Sequence, residues 1–413
     1  MNICHIVPIY LPGILPGCSK YIQDVSEHLS KRGHDVVVLT ANAITGRGWV
    51  DPLFGEYSPK KEEMIHGVRV KRLKTQWPIT LAMYLLRKID RRLLPHSIRN
   101  IVSLLSVGPY LPNLKKELQN ERYEIIHVTA FPFALIWLVW KTCEALKKPF
   151  FCTPLIHFED PGHKNPLLWK ALQDASAVIA CSNYEKKGMM SMGINPSKIY
   201  LVPMGINLEE WKNPDGNRFR RKYCLEGGKI VLFAGTKSYN KGAIHLLQAV
   251  EKIRQKVKGL TLVCIGLPTR EWEDNRGLLH EENLLDLGYV SEEEKMDAFD
   301  ACDLFVMPSR YDSFGIVYLE AGRCGKPVIG AKVGAIPEVI EAGKDGLLVE
   351  FGDVDQLASA IISLLKHPDF GKEMGETGRK KVMDRFNWQK NIGRIEDVFK
   401  EAKAIWRYDG LKC

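Results

Sequence analysis

The chain has 413 residues, 45% of them hydrophobic and 26% charged, and a formal net charge of +9 at neutral pH. That balance is ordinary for a soluble globular protein of two or three domains. Its ten cysteines contain no Cys-x-x-Cys and form no Cys/His cluster at zinc-ligand spacing, which excludes a zinc-ribbon reading and points to reduced thiols in the cytoplasm.

The opening segment "NICHIV" (Asn2–Val7) reads as a buried strand, not a signal peptide, since it lacks a basic leader and prolines interrupt the apolar run after it. "YIQDVSEHLSKRG" then sets Tyr21, Ile22, Val25 and Leu29 on one helical face and stops at Gly33. "DVVVLT" is the next strand. Residues 76–105 place apolar residues and cations at helical spacing, with Arg87, Lys88, Arg91 and Arg92 beside Trp77, Leu81, Tyr84 and Leu85. Such a stretch either packs on the domain or lies on an anionic membrane surface, where Arg87 and Arg91 suit an acceptor carrying a diphosphate lipid. "FPFALIWLVW" is about half the roughly 20 residues of a membrane span and reads as a core helix. Strands "EIIHV", "PFFCT", "AVIAC" and "IYLVP" complete a parallel α/β domain over residues 1–205.

The Gly-, Pro- and Asn-rich segment 203–217 marks a linker. A second α/β series follows, with strands "KIVLFAG", "LTLVCIG", "LLDLGYV", "DLFVMP", "KPVIGA" and "DGLLV", and defines a domain over residues 206–388. A polar helical stretch over 389–413 is expected to return to the N-terminal domain. The fold class is therefore α/β, with two doubly wound parallel sheets expected to face each other across a cleft. Ligands of such sheets bind at the carboxyl ends of the strands. "GDVDQL" contains an Asp-x-Asp, but it opens a helix, so Asp353 or Asp355 reads as a cap and not a metal ligand.

Two loops at strand ends carry the chemistry. In "YDSFGIVYLE" a helix opens after Gly315, so Phe314 and Gly315 stand at its N-terminus, where unpaired amides favour an anion. Asp312 precedes that terminus, and Glu320 lies a turn or so inside. In "FAGTKSYNKG", Gly235 gives a turn beside Lys237 and Lys241, point charges for a diphosphate. Each loop alone also reads as a capped turn; together in one domain they favour a nucleotide-diphosphate binder.

With "LGYVSEEEK", "MPSRYDSFG" and "GKPVIGAKVGAIPEVI" in the same order, the chain resembles the retaining glycosyltransferases of family 4, with the GT-B fold of two Rossmann-like domains. The signature is the E-x7-E motif, here with Asp312 in place of the first Glu. The resemblance implies that Glu320 holds ribose hydroxyls, Asp312 the transferred sugar and Lys241 the diphosphate. It assigns backbone N–H groups of Phe314, Gly315 and Ile316 to phosphate and sugar, and puts Val290 beside the base. It further implies Gly17 near the donor phosphate and His157 at the transferred sugar, with Lys237 substituting for an Arg where Thr236 stands. His127, at a strand end, is an acceptor contact or a buried residue. No metal or other cofactor is implied. The donor is a nucleotide-diphosphate sugar and the acceptor a glycan or lipid-linked hydroxyl. No nucleic acid is expected, and the location is cytoplasmic or peripheral at the inner membrane face. The rival readings are a non-catalytic sugar-nucleotide binder, its activity lost through Asp312 and Thr236, and a glycoside hydrolase using Asp312 and Glu320 as its acid/base pair.

Overall fold

A computed structural model of the chain describes residues 1–12, 17–45, 55–87, 95–120, 123–129 and 131–410. The chain forms two compact units: Met1–Pro203 with Trp388–Cys413 (unit 1), and Met204–Asn387 (unit 2). Among the described residues no helix is long and apolar enough to cross a membrane.

In unit 1 the elements run β1 (Asn2–Val7), α1 (Gly17–Lys31), β2 (Asp35–Ala41), β3 (Glu62–Ile65), β4 (Val68–Leu73), α2 (Trp77–Arg87), α3 (His96–Leu105), α4 (Leu114–Asn120), β5 (Ile125–Thr129), α5 (Ala134–Leu146), β6 (Phe150–Thr153), α6 (Pro166–Gln173), β7 (Ala177–Ala180), α7 (Asn183–Ser191) and β8 (Ile199–Leu201). Among the described residues the strands form one sheet in the order β3-β4-β2-β1-β5-β6-β7-β8. Among the described residues only the edge strand β3 is antiparallel to its neighbour. Strands β1, β2 and β5 are apolar along nearly their whole length because helices cover both faces of a parallel sheet. The "FPFALIWLVW" run becomes the start of α5, which buries Leu135, Ile136, Val139 and Trp140 against that sheet.

Unit 2 runs α8 (Gly216–Lys222), β9 (Lys229–Ala234), α9 (Ala243–Ile253), β10 (Leu260–Ile265), α10 (Arg270–Asn275), β11 (Leu284–Leu287), α11 (Glu292–Ala301), β12 (Leu304–Met307), α12 (Ile316–Arg323), β13 (Val328–Ala331), α13 (Ile336–Val339), β14 (Gly346–Val349), α14 (Val354–Lys366) and α15 (Pro368–Arg385). The sheet order is β11-β10-β9-β12-β13-β14, and among the described residues each neighbouring pair is parallel. In order of appearance this is 3-2-1-4-5-6, the doubly wound arrangement, and its direction of winding reverses between β9 and β12. The loops leaving those two strands therefore emerge side by side. Asp353 caps α14, its carboxylate accepting from the Gln356 amide at 2.9 Å, as its place before an apolar run predicts.

The last helix, α16 (Trp388–Gly410), belongs to unit 1. Trp388 is fully buried, and its Nε1 donates to Asp24 Oδ2 of α1 at 3.1 Å. Phe399 is also fully buried, with its ring 5.4 Å from those of Phe151 and His127. Burying such a ring contributes about 2–3 kcal/mol. Arg32 pairs with Glu396 at 2.8 Å, and Lys403 pairs with Glu124.

Candidate functional site

The reversal point of unit 2 brings together two of the expected residues that lie 71 positions apart: Lys241 Nζ stands 2.7 Å from Asp312 Oδ2. The first loop is shaped locally. Ser238 Oγ accepts from the Lys241 amide at 3.2 Å and closes a turn that ends at Gly242. Gly242 has φ +76°, and a Cβ there would meet Pro308 O at 2.2 Å, so glycine alone lets the two loops approach. Arg310 N then donates to Asn240 O at 2.8 Å across them. Gly235 directly follows β9, its amide donating to Ile265 O at 2.9 Å.

The second loop delivers Asp312 and opens α12 at Gly315, whose φ of +83° suits glycine. The Phe314 amide donates to Asp312 Oδ1 at 3.3 Å, which ties the carboxylate to the start of the helix. The Phe314 ring is an anchor, buried and set edge-on to Phe386 at 5.8 Å. Ile316 begins the helix and is half-buried. Inside α12, Glu320 is buried with Oε1 3.1 Å from Lys295 Nζ of α11. Val290, half-buried, follows β11.

Lys237 is not brought to Lys241. Its side chain is 2% exposed and its ammonium bonds to Asp286 and, at 2.8 Å, to Leu287 O. Asp286 also accepts from Trp272 Nε1 at 2.9 Å and pairs with Arg276 at 3.3 Å. The expected diphosphate ligand is instead a strut tying the loop after β9 to the end of β11.

In unit 1, Gly17 is exposed at the start of α1. His127 is completely buried, with Nδ1 2.9 Å from His5 Nδ1 and Nε2 2.8 Å from Thr153 Oγ1. Burial, then the neighbouring His5, hold its pKa well below the ordinary value. This neutral interior ring is structural, and it leaves the acceptor-side candidates. His157 is half-buried; its amide donates to His163 Nδ1 at 2.7 Å and the two rings stack at 5.4 Å. Burial and then His157 push His163 down to about 4, which keeps the accepting nitrogen unprotonated. Glu185, fully buried, fixes the same loop by accepting from Ile156 N and Cys181 N, each at 2.8 Å. Burial raises its pKa to about 7 against those amide bonds. The Arg87 side chain and all of Arg91 lie outside the described residues.

Sequence reasoning missed Lys295, Glu185, His163 and Asp286. The signal for Lys295 is faint: a lone cation within the acidic run "SEEEKMD". Glu185 has a better one, since Ser182 and Glu185 have the Ser-x-x-Glu spacing of a capping box, and Ser182 Oγ accepts from Glu185 N at 3.1 Å.

Comparison with known proteins agrees with this architecture. The family model described as "Glycosyltransferase Family 4" matches residues 17–210, and "Glycosyl transferases group 1" matches residues 216–381. Glycogen synthase of Mycobacterium tuberculosis is 24% identical over 98% of this chain and 95% of its own. Among solved structures, sucrose-phosphate synthase from Thermosynechococcus elongatus superposes with a TM-score of 0.73 at 20% identity, over 98% of this chain and 100% of that one. Anabaena HepE in complex with UDP-glucose gives 0.72 at 17% identity, over 97% and 100%. With a glycosyltransferase model matched to each doubly wound unit, the chain belongs to the family 4 glycosyltransferases, of GT-B fold.

Proposed function

We propose that this glycosyltransferase takes a nucleotide-diphosphate sugar on unit 2 and moves the sugar, with retention of configuration, to an acceptor hydroxyl. The observation that carries the reading is the Lys241–Asp312 pair, 2.7 Å apart at the sheet's reversal point and in front of a helix N-terminus. Anabaena HepE, of the same fold, is solved with UDP-glucose.

In this reading the diphosphate meets Lys241, whose side chain is 30% exposed, and the positive end of α12. Both groups are placed before the reaction begins, so negative charge building on the leaving diphosphate is stabilised without reorganisation. Asp312 holds the ammonium at its post and accepts from the transferred sugar. Glu320 accepts from the ribose, and Val290 lies along the base. The sugar's anomeric carbon exchanges its bond to the donor phosphate oxygen for one to the acceptor oxygen on the same face. The acceptor's proton passes to that departing phosphate oxygen, so no protein base is required. From unit 1 the proposal assigns Gly17 to the donor phosphate and His157 to the transferred sugar, with Arg87 and Arg91 as the acceptor-side candidates. Hydrolysis fits less well: each carboxylate faces an ammonium, a pairing that suits two anions, where a glycosidase needs one neutral acid.

The acceptor is proposed to be a glycan or lipid-linked hydroxyl, reached by peripheral contact with an anionic membrane on the cytoplasmic side. Eleven Lys and Arg lie between residues 60 and 99, and Leu85 and Ile98 are exposed on α2 and α3. Thermal unfolding in the presence of UDP-, GDP- and ADP-sugars tests the donor reading. One class should raise the midpoint by several degrees at saturation, and Glu320→Ala should remove most of that rise. No response to any of them, or an undiminished response in the variant, overturns it.

A further inference from the structure

Lys295 sits on α11 with its ammonium between two carboxylates, 2.7 Å from Glu292 Oε2 and 3.1 Å from Glu320 Oε1. Its side chain is 20% exposed and that of Glu320 is 5% exposed, whereas Glu292 reaches solvent. The indole of Trp211, itself buried and edge-on to Phe299 of α11 at 5.7 Å, lies 5.9 Å from the ammonium. Burial alone disfavours the charge on Lys295, but Glu320 and Glu292 outweigh it, and its pKa is raised. The cation is thus locked in a cage with Glu292 on the outer side and Glu320 on the inner.

A buried carboxylate without a cation tends to neutralise, and a neutral acid is a poor acceptor for two hydroxyls at once. A carboxylate that is free to turn spends part of its binding energy on being ordered. An ammonium on Oε1 removes both costs while occupying one of the roughly four lone-pair positions of the group.

We propose that Lys295 is a positioning residue for the nucleotide's sugar: it holds the Glu320 carboxylate ionised and oriented, so that the donor site selects nucleotides by their ribose diol. This rests on the reading of Glu320 as the ribose ligand. Lys295 itself touches no substrate; its effect passes through Glu320.

The test is calorimetric binding of UDP, GDP and ADP, each compared with its 2′,3′-dideoxy counterpart, to the full chain. Lys295→Met should lower the ratio of ribose to dideoxy affinity about tenfold, the worth of one hydrogen bond to a charged group. Dideoxy affinity should stay within about twofold, because the diphosphate and base contacts are untouched. Lys295→Arg, which keeps charge and bulk, should hold the ratio within about threefold. It also serves if Lys295→Met fails to fold, as judged by circular dichroism. Equal loss of both affinities in Lys295→Met, or an unchanged ratio, overturns the inference. So does a lost ratio in Lys295→Arg. Glu320→Gln separates the two claims. If it leaves the ratio intact, Glu320 is not the ribose ligand and both claims fall. If it abolishes the ratio while Lys295→Met does not, the positioning role alone falls.

Discussion

Lys241 and Lys237 show how little a side chain's identity says about its task. They share one ten-residue loop, yet one ammonium faces Asp312 and the other is sunk against Asp286. What separates them is a carboxylate 71 residues downstream of Lys241 and another 49 downstream of Lys237. Loop composition announces a site for positive charge; only the tertiary partner decides whether that charge meets a ligand. The same holds for Lys295, whose partner Glu320 is on the next helix. Asp312 and Lys241 stand out in the sequence because strand-end position, glycine and charge agree there, and the structure adds that the two side chains meet. Lys241→Ala is expected to lower kcat about 100-fold or more at saturating donor, by analogy with removing one preorganised donor from an oxyanion site. Initial rates check this, with the unfolding midpoint as control.

At the scale of elements, the alternation of short apolar runs with helical patterns made nearly every strand readable. It did not reveal strand order, because order depends on which helices cross over, and every parallel neighbour looks alike in sequence. The histidine at the end of "EIIHV" was ambiguous for the same reason: β5 lies beside β1, and only that pairing sets His127 opposite His5. Their Nδ1 atoms lie 2.9 Å apart, so one donates and the other accepts. Protonating the acceptor would put two N–H groups face to face. Burial lowers the pKa of His5 to about 3, against about 6.5 when unfolded. Below 6.5 the unfolded chain binds more protons than the folded one, so stability falls as pH falls from there toward 3. For His5 the loss between pH 8 and pH 5 is about 2 kcal/mol. Urea unfolding at the two pH values measures it, and His5→Asn should flatten the slope. A midpoint that does not move with pH contradicts a neutral buried pair.

For the whole molecule, net charge is the property that composition fixed most directly, and it is uneven. Residues 1–200 carry 26 Lys and Arg against 16 Asp and Glu, while the remainder is nearly balanced. If unit 1 meets an anionic membrane, each cation near the surface contributes about 1 kcal/mol and salt screens it. Neutralising Arg87, Lys88, Arg91 and Arg92 should abolish co-sedimentation with phosphatidylglycerol vesicles at low salt and leave phosphatidylcholine vesicles unaffected. Equal sedimentation of both forms removes the membrane from the proposal. Unit 1 is also closed by α16, whose residues are translated last among those described, after the whole of unit 2. At about 5–20 residues per second the ribosome needs roughly 10–40 s to make the stretch between Pro203 and the end of that helix. For that interval His5 and Phe151 of the nascent first sheet, and Tyr21 of α1, wait without Trp388 and Phe399 over them, and a chaperone that shields apolar surface would find its client there.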